Sequence, residues 1–459
     1  MSVKLRLYKA WTRRYRLKLQ PAQVIALVFA GLILLGAVLL SLPEASRSGR
    51  SCGFLPALFT ATSSTCVTGL ILFDTWTQWS GFGQIVILSL IEIGGLGFMS
   101  AASLIVFLLR KKVGLKQRMV MAQSLSVNDM DGVVLLQKWV LFGSLGIQLT
   151  GALILFFRFL PEYGAVNAAK WGVFHAISGF CNAGFDIVGC IQPGASMVVF
   201  NDDPVVMITL MALVMLGGLG FFVWEEVATL RSWKKFSVYT KLVLAASGVL
   251  FFGGAAAFCL LEWNNPGTLG PMPVWQKILN GCFQSVTVRT AGFAGVDQAL
   301  LTDGGKAVSM VLMLIGGCSG STAGGMKVVT MLVLILFIAA RARGRNTVCV
   351  FKRTIPERQA LDAMTIASIM VGLAVFGGIL ISVTSPVGFT DALYEAVSAL
   401  ATVGLTAGVT PVMSLAAKLL IIVYMYFGRV GVLTLSLGFL MGNKAEDRYR
   451  YANTNLIIG

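Results

Sequence analysis

The chain has 459 residues, of which 56% are hydrophobic and 12% charged, and its mean hydropathy is +0.82. A soluble globular domain carries roughly twice that share of charge, so the composition excludes an ordinary soluble enzyme and points to an integral membrane protein. The formal net charge of +16 is then a matter of topology rather than of nucleic-acid binding, because cytoplasmic loops of membrane proteins collect Lys and Arg.

In chain order, residues 1–20 form a basic arm (Lys4, Arg6, Lys9, Arg13, Arg14, Arg16, Lys18) with no acidic partner and no secretory signal pattern. A bilayer core about 30 Å thick takes about 20 helical residues. Spans are therefore expected at 24–42, 85–109, 139–160, 205–224, 242–261, 364–383 and 415–441. One more comes from two short apolar pieces, 307–317 and 328–340, which flank a polar insert running from Cys318 to Lys327. Neither piece crosses alone. Joined, they make one span interrupted at mid-depth, which a bilayer tolerates only where the insert is buried in protein or lines water; a plain kink has no use for ten residues of this composition.

The expectation is thus an all-α integral membrane protein with eight transmembrane spans. Arg110, Lys111, Lys112, Lys116 and Arg118 follow the second span, Arg231, Lys234 and Lys235 the fourth, and Arg341, Arg343, Arg345, Lys352 and Arg353 the sixth. The intervening loops hold Glu44, Asp74, Glu162, Asp186, Asp202, Asp203, Glu262, Asp297, Asp303 and Asp391. The positive-inside rule then places both termini in the cytoplasm.

Between the two spans of each pair lies a glycine motif: Thr68-Gly69-Leu70, Cys181-Asn182-Ala183-Gly184-Phe185-Asp186, Thr290-Ala291-Gly292-Phe293 and Val403-Gly404-Leu405. The four glycines are 115, 108 and 112 residues apart, a period long enough for a whole structural unit. An aromatic precedes each glycine by nine or ten positions (Phe59, Phe174, Phe283, Tyr394), small polar residues fill the gap, and a large apolar residue follows. Each motif is preceded by a half-length stretch, 56–64, 171–179, 274–286 and 391–399, too short to cross and read as a re-entrant helix. The chain is expected to be four tandem units of span, pore helix, filter loop and span around one central pore: 21–112, 113–235, 236–345 with the interrupted span, and 346–441. A cytoplasmic tail, 442–459, closes it.

The second spans echo one another: Gly94-Gly95-Leu96-Gly97, Gly217-Gly218-Leu219-Gly220, Gly316-Gly317, and Gly428 with Gly431. Small residues let helices approach closely, so these are read as packing near the pore. The eight cysteines, without CxxC or Cys/His spacing, are small apolar fillers.

Four loops of backbone carbonyls at the ends of half-helices can replace the water shell of K⁺, and the negative C-terminal helix ends favour a cation. Asp186, two positions past Gly184, either raises the local cation concentration or bonds to its own loop; both roles stay open. Arg429 stands at mid-span, where a charge costs at least about 2.5 kcal/mol, so it requires a polar partner such as the insert. Glu92 pairs with an arginine or lines a cavity, Arg289 braces the third loop or meets an acidic neighbour, and His175, the single histidine, is read as architectural. Glu225-Glu226 is a solvated helix end or a partner contact.

These motifs together resemble the membrane subunit of the Ktr/Trk/HKT superfamily of potassium transporters, its Ktr type above all. The match runs over nearly the whole chain: four filter loops, the Gly316 to Lys327 insert, and the lone mid-span Arg429. The basic arm stands where Trk-type subunits have extra spans. The resemblance implies a selectivity filter at Val67, Thr68, Gly69, Asn182, Ala183, Gly184, Thr290, Ala291, Gly292, Thr402, Val403 and Gly404, with potassium held by their backbone. It implies a gate made of Gly316, Gly317, Cys318, Ser319, Gly320, Ser321, Thr322, Ala323, Gly324 and Gly325 with Arg429. It also implies a homodimer in the cell membrane, opened by a separate cytosolic nucleotide-binding ring, with membrane lipid around it. Potassium is the transported ion, sodium dependence is left open, and no organic cofactor is expected. The alternative is a secondary cation transporter with discontinuous helices around a midplane site. Its usual inverted repeats do not fit four units of one orientation, and no nucleophile with a base supports an enzyme.

Overall fold

The structure, a computed structural model, describes residues 21–97, 133–345 and 347–431. The basic arm, the second half of the expected second span with its basic loop, the end of the eighth span and the C-terminal tail lie outside the described residues.

The described chain is mostly helical. In order come α1 (Pro21–Ser41), α2 (Phe54–Thr65), α3 (Gly81–Leu96), α4 (Val133–Phe180), α5 (Pro204–Gly218), α6 (Phe221–Leu230) and α7 (Val238–Glu262). Then follow α8 (Val274–Thr287), α9 (Asp303–Leu314), α10 (Val328–Ala342), the strands β1 (Val348–Val350) and β2 (Arg353–Ile355), α11 (Glu357–Thr384), α12 (Phe389–Leu400) and α13 (Leu415–Tyr426). A π-helical turn, Phe427–Gly431, ends the described residues.

Among the described residues four helices are long and apolar enough to cross a bilayer, at Gln23–Ser41, Val134–Phe180, Val238–Glu262 and Glu357–Thr384. Outward-facing Leu27, Val249, Phe252, Leu260 and Val383 are all exposed, as suits helices solvated by lipid. The half-length stretches are helical: α2, α8 and α12 each pack along the long helix before them, and the stretch of the second motif forms the end of α4 beyond a kink. Gly164 makes that kink with a φ of 73° just after Pro161, whose missing N–H interrupts the helical ladder.

One expectation needs correction. The fourth span does not run unbroken over 205–224: α5 and α6 meet at 95°. α3 likewise ends at Leu96, and the remainder of the expected second span lies outside the described residues. Both breaks fall on the last glycine of the same motif, with φ 83° at Gly97 and 91° at Gly220, a region that costs glycine little and other residues much. At the second break the insert takes up the freed backbone groups, as described below.

The helix that leaves each glycine motif starts on a side-chain cap: Ser80, Asp203, Thr302 and Ser414 accept from backbone N–H groups of α3, α5, α9 and α13. Each such cap contributes about 1 kcal/mol. In the basic loop after α10 the structure adds a hairpin that sequence reading missed, β1 pairing antiparallel with β2. Phe351 and Lys352 both take positive φ at its tip, the geometry of a two-residue turn that follows strand twist.

Candidate functional site

The four glycine motifs come together. Each glycine is left-handed, with φ 96° at Gly69, 68° at Gly184, 82° at Gly292 and 93° at Gly404. A second left-handed residue precedes each by two positions: Val67, Asn182, Thr290 and Thr402, with φ between 53° and 66°. Three of those four are β-branched, for which this region is a genuine strain. Backbone strain that four loops share is held by surrounding structure and marks a site.

The reason glycine is required follows from its neighbours. A Cβ on Gly69 would lie 2.5 Å from the Ala183 carbonyl oxygen, one on Gly184 2.7 Å from that of Ala291, and one on Gly292 2.5 Å from that of Val403. A Cβ on Gly404 would strike the Thr68 carbonyl. The contacts run from first loop to second, third, fourth and back to the first, a closed ring in which each glycine makes room for the carbonyl of the next loop. The Oγ1 atoms of Thr65, Thr68, Thr290 and Thr402 are buried around it with no protein partner, so the interior offers hydroxyls as well as carbonyls.

The small polar residues before each glycine shape the loops. Ser63 and Ser398 accept from the N–H of Gly69 and Gly404, both at 3.1 Å. In the other two loops Ser178 and Thr287 donate instead to the carbonyls of Phe185 and Phe293, at 2.7 and 2.6 Å. The division follows the residue after the glycine, Leu in the first pair and Phe in the second. In the third loop the hydroxyl sits five rather than six positions before the glycine, which matches its aromatic at nine rather than ten. These hydroxyls were visible in the sequence only as unassigned small polar residues. The aromatics Phe59, Phe174, Phe283 and Tyr394 are all buried and wedge the half-helices.

One glycine of the outgoing helix in three of the units packs as expected. A Cβ on Gly94, Gly217 or Gly428 would strike the carbonyl of Thr65, Phe180 or Leu400, the C-terminal ends of the half-helices. The third unit differs because its outgoing span is interrupted there.

That interruption, residues 315–327, lies against the ring. Thr322 donates from Oγ1 to Phe180 O at 3.1 Å, and a Cβ on Gly324 would strike Thr402. Arg429 reaches the insert from the last helix. Its guanidinium donates to Thr322 O and, through the other terminal nitrogen, to Gly94 O at 2.6 Å and Gly95 O at 3.0 Å. One buried charge thus ties the insert to the broken end of α3. Lys327 closes the insert on itself, donating to Ala323 O at 2.8 Å.

Other ionisable residues resolve individually. Glu92 accepts from the Gln148 amide at 3.0 Å and from the Cys181 thiol at 3.3 Å, so its structural pairing is with neutral donors rather than an arginine. Among the described residues Arg289 meets neither an acidic neighbour nor a loop carbonyl, and its Nε is buried without a partner there, beside a cavity of about 20 Å³ lined also by Asn182, Ser247 and Gly317. His175 bonds through Nδ1 to Trp171 O at 2.8 Å and accepts at Nε2 from Ile187 N–H at 3.4 Å, the architectural role expected. Glu226 caps α7, accepting from Ser237 N–H at 2.5 Å and its hydroxyl at 2.8 Å. Asp186 accepts from Val188 N–H at 3.3 Å, the bond to its own loop. Burial, and then the nearby Asp74, push its carboxyl up to about 6.

Comparison with known proteins gives the family of the chain. Residues 20–447 match the family model TrkH, described as a cation transport protein. The potassium/sodium uptake protein NtpJ of Enterococcus hirae is 39% identical over 452 residues, covering 97% of this chain and 99% of its own. The Ktr system potassium uptake protein B of Bacillus subtilis is 39% identical over 429 residues, covering 94% and 95%. Among solved structures, the potassium transporter TrkH of Vibrio parahaemolyticus superposes with a TM-score of 0.69 at 19% identity, covering 92% of this chain and 85% of its own. That likeness concerns the fold.

Proposed function

The chain belongs to the TrkH family of cation transport proteins, and from that premise we propose that it takes up potassium through the ring of four glycine loops. The closed ring at Gly69, Gly184, Gly292 and Gly404 is the observation that carries the proposal. Four tandem units, with eight spans in all, arrange four half-helix ends around one path. A K⁺ ion entering it exchanges water for the carbonyls of Val67 and Thr68, Asn182 and Ala183, Thr290 and Ala291, and Thr402 and Val403. The half-helix C-termini add favourable negative potential. The unpartnered threonine hydroxyls supply further oxygens to a dehydrating ion.

Below the ring, residues 316–325 with Arg429 act as the gate. The insert occupies the path, and the positive charge opposes cations until both move aside. Opening is controlled by a cytosolic nucleotide-binding ring; the naming of the B. subtilis relative as protein B of a Ktr system supports the existence of a separate partner. The name of the E. hirae relative pairs potassium with sodium, and sodium enters here as an activating or accompanying ion. The protein works as a homodimer in the cell membrane, with both termini in the cytoplasm and Asp186 attracting cations at the outer mouth.

The test is potassium-limited growth of cells lacking their own uptake systems, with and without the cytosolic partner. The intact chain restores growth. A chain with residues 316–325 deleted takes up K⁺ without needing the partner; failure of the intact chain with the partner present would return the choice to a secondary cation transporter.

A further inference from the structure

A backbone insert at membrane depth must find partners for its N–H and C=O groups, and this one supplies few of its own. Gly316 N–H reaches Met326 O at 2.8 Å and Val328 N–H reaches Gly317 O at 3.2 Å. Most of its outside partners come from one place, the break between α5 and α6 and the start of α7. Cys318 N–H donates to Gly218 O at 3.0 Å, Thr322 N–H to Gly217 O at 3.2 Å, and Phe221 N–H to Gly320 O at 2.8 Å. The Tyr239 hydroxyl donates to Ser319 O at 3.2 Å. These bonds explain the 95° bend: the carbonyls of Gly217 and Gly218 serve the insert instead of continuing their own helix.

Packing follows the same line. Val223 of α6 and Val243 of α7 are buried in one cluster with Ile315, Cys318 and Val328. Glu226, near the far end of α6, holds Ser237 and Thr240 at the start of α7, which fixes the turn carrying Tyr239. Gly220 admits the insert at the corner; a Cβ there would sit 2.8 Å from Ser319 O.

We propose that Gly220, Phe221 and Tyr239 form a catch that holds the insert beneath the glycine ring, and that conduction requires the insert to leave it. Rest and conduction then differ in whether the 318–322 backbone is bonded to the second unit. Tyr239 is a positioning residue, acting on the ion path through Ser319. The catch also gives a route for cytoplasmic control, since α6 and the Glu226 cap continue directly from it. The proposal rests on the reading of the insert as a gate.

The test uses the full-length chain in proteoliposomes and follows rubidium influx without any cytosolic partner. Tyr239→Phe raises resting influx at least threefold, with potassium over sodium preference unchanged. Gly220→Cys supplies a direct lock, because an ideal Cβ at 220 lies 3.5 Å from the native Cys318 Cβ, within the range that a disulfide spans. Reduced, this variant leaks; oxidised, its influx falls at least tenfold and reductant restores it. Adding Cys318→Ser removes the response to oxidant. Unchanged influx after the disulfide is verified by peptide mass, or no disulfide in a protein that binds and elutes as the parent does, overturns the catch. Deletion of 316–325 separates the two readings: if deletion raises influx while Tyr239→Phe and the disulfide do nothing, the catch alone is wrong, and if deletion has no effect the gate itself is.

Discussion

The guanidinium of Arg429 donates to the carbonyl of Thr322 and, 2.6 Å away on its other side, to the carbonyl of Gly94. A charge on the last helix thereby joins an insert in the third unit to the end of a helix in the first. Bonds to a charged group contribute about 1.5–3 kcal/mol each, enough to keep the insert in one place most of the time and too little to keep it there permanently.

Under the proposed gating role, Arg429→Ala should therefore raise resting rubidium influx at least tenfold, since the tether is lost together with the charge that role sets against cations. Arg429→Lys should fall between, because an ammonium keeps the charge and lacks the planar fork that reaches two carbonyl groups at once. Equal influx in parent, Lys and Ala forms would remove Arg429 from gating.

Uptake by the proposed path should respond to external pH. Burial, and then Asp74, push the Asp186 carboxyl up to about 6, so its negative charge is lost as pH falls through that value. Influx should drop between about pH 7 and 5, and Asp186→Asn should flatten the profile at the lower level. The sign for stability is opposite: a raised carboxyl favours the protonated fold, so its stabilising contribution fades as pH rises through about 6. Asp186→Asn should raise Tm at pH 8 more than at pH 5, measured by thermal unfolding in detergent.

Glycines with the same look should behave differently. Gly217→Ala drives a methyl into the Phe180 carbonyl, whereas Gly248 has nothing within 4 Å of an added Cβ. Overpacking of this kind costs about 1–3 kcal/mol, so Gly217→Ala should lower Tm and uptake while Gly248→Ala leaves both as they were. Comparable losses in the two would contradict the packing described for the outgoing helices.

Ser398 supports the fourth glycine loop from behind, accepting from Gly404 N–H at 3.1 Å. Ser398→Ala leaves that amide buried and unpaired, at a cost of about 1–3 kcal/mol. The loop should loosen, and the preference for potassium over sodium in competition flux should fall several-fold with expression retained.

What the sequence disclosed and what it hid both have physical causes. The ring glycines were legible because close approach of four backbones excludes every larger residue, so the requirement is written into residue identity at Gly69, Gly184, Gly292 and Gly404. The insert was legible because no apolar span contains Ser-Gly-Ser-Thr without a reason. The strained positions Val67, Thr290 and Thr402 were named as filter residues, but their left-handed backbone was hidden: nothing in a β-branched side chain announces it, and neighbouring loops impose it. The break at Gly220 was hidden for the opposite reason. Its motif reads as helix packing, and only the insert's claim on the carbonyls of Gly217 and Gly218 turns it into a bend. Glu226 read as a solvated end or partner contact because its cap receptor, Ser237, lies eleven residues on.

The most direct measurement is the potassium-to-sodium selectivity of Gly292→Ser, from competitive flux in proteoliposomes containing the full-length chain. A serine Cβ there meets the Val403 carbonyl at 2.5 Å, which must shift and spoil the spacing of the ring. The account predicts that potassium preference collapses while total cation influx persists. Unaltered preference in a folded, conducting Gly292→Ser protein would contradict the glycine ring as the place where the ion is chosen.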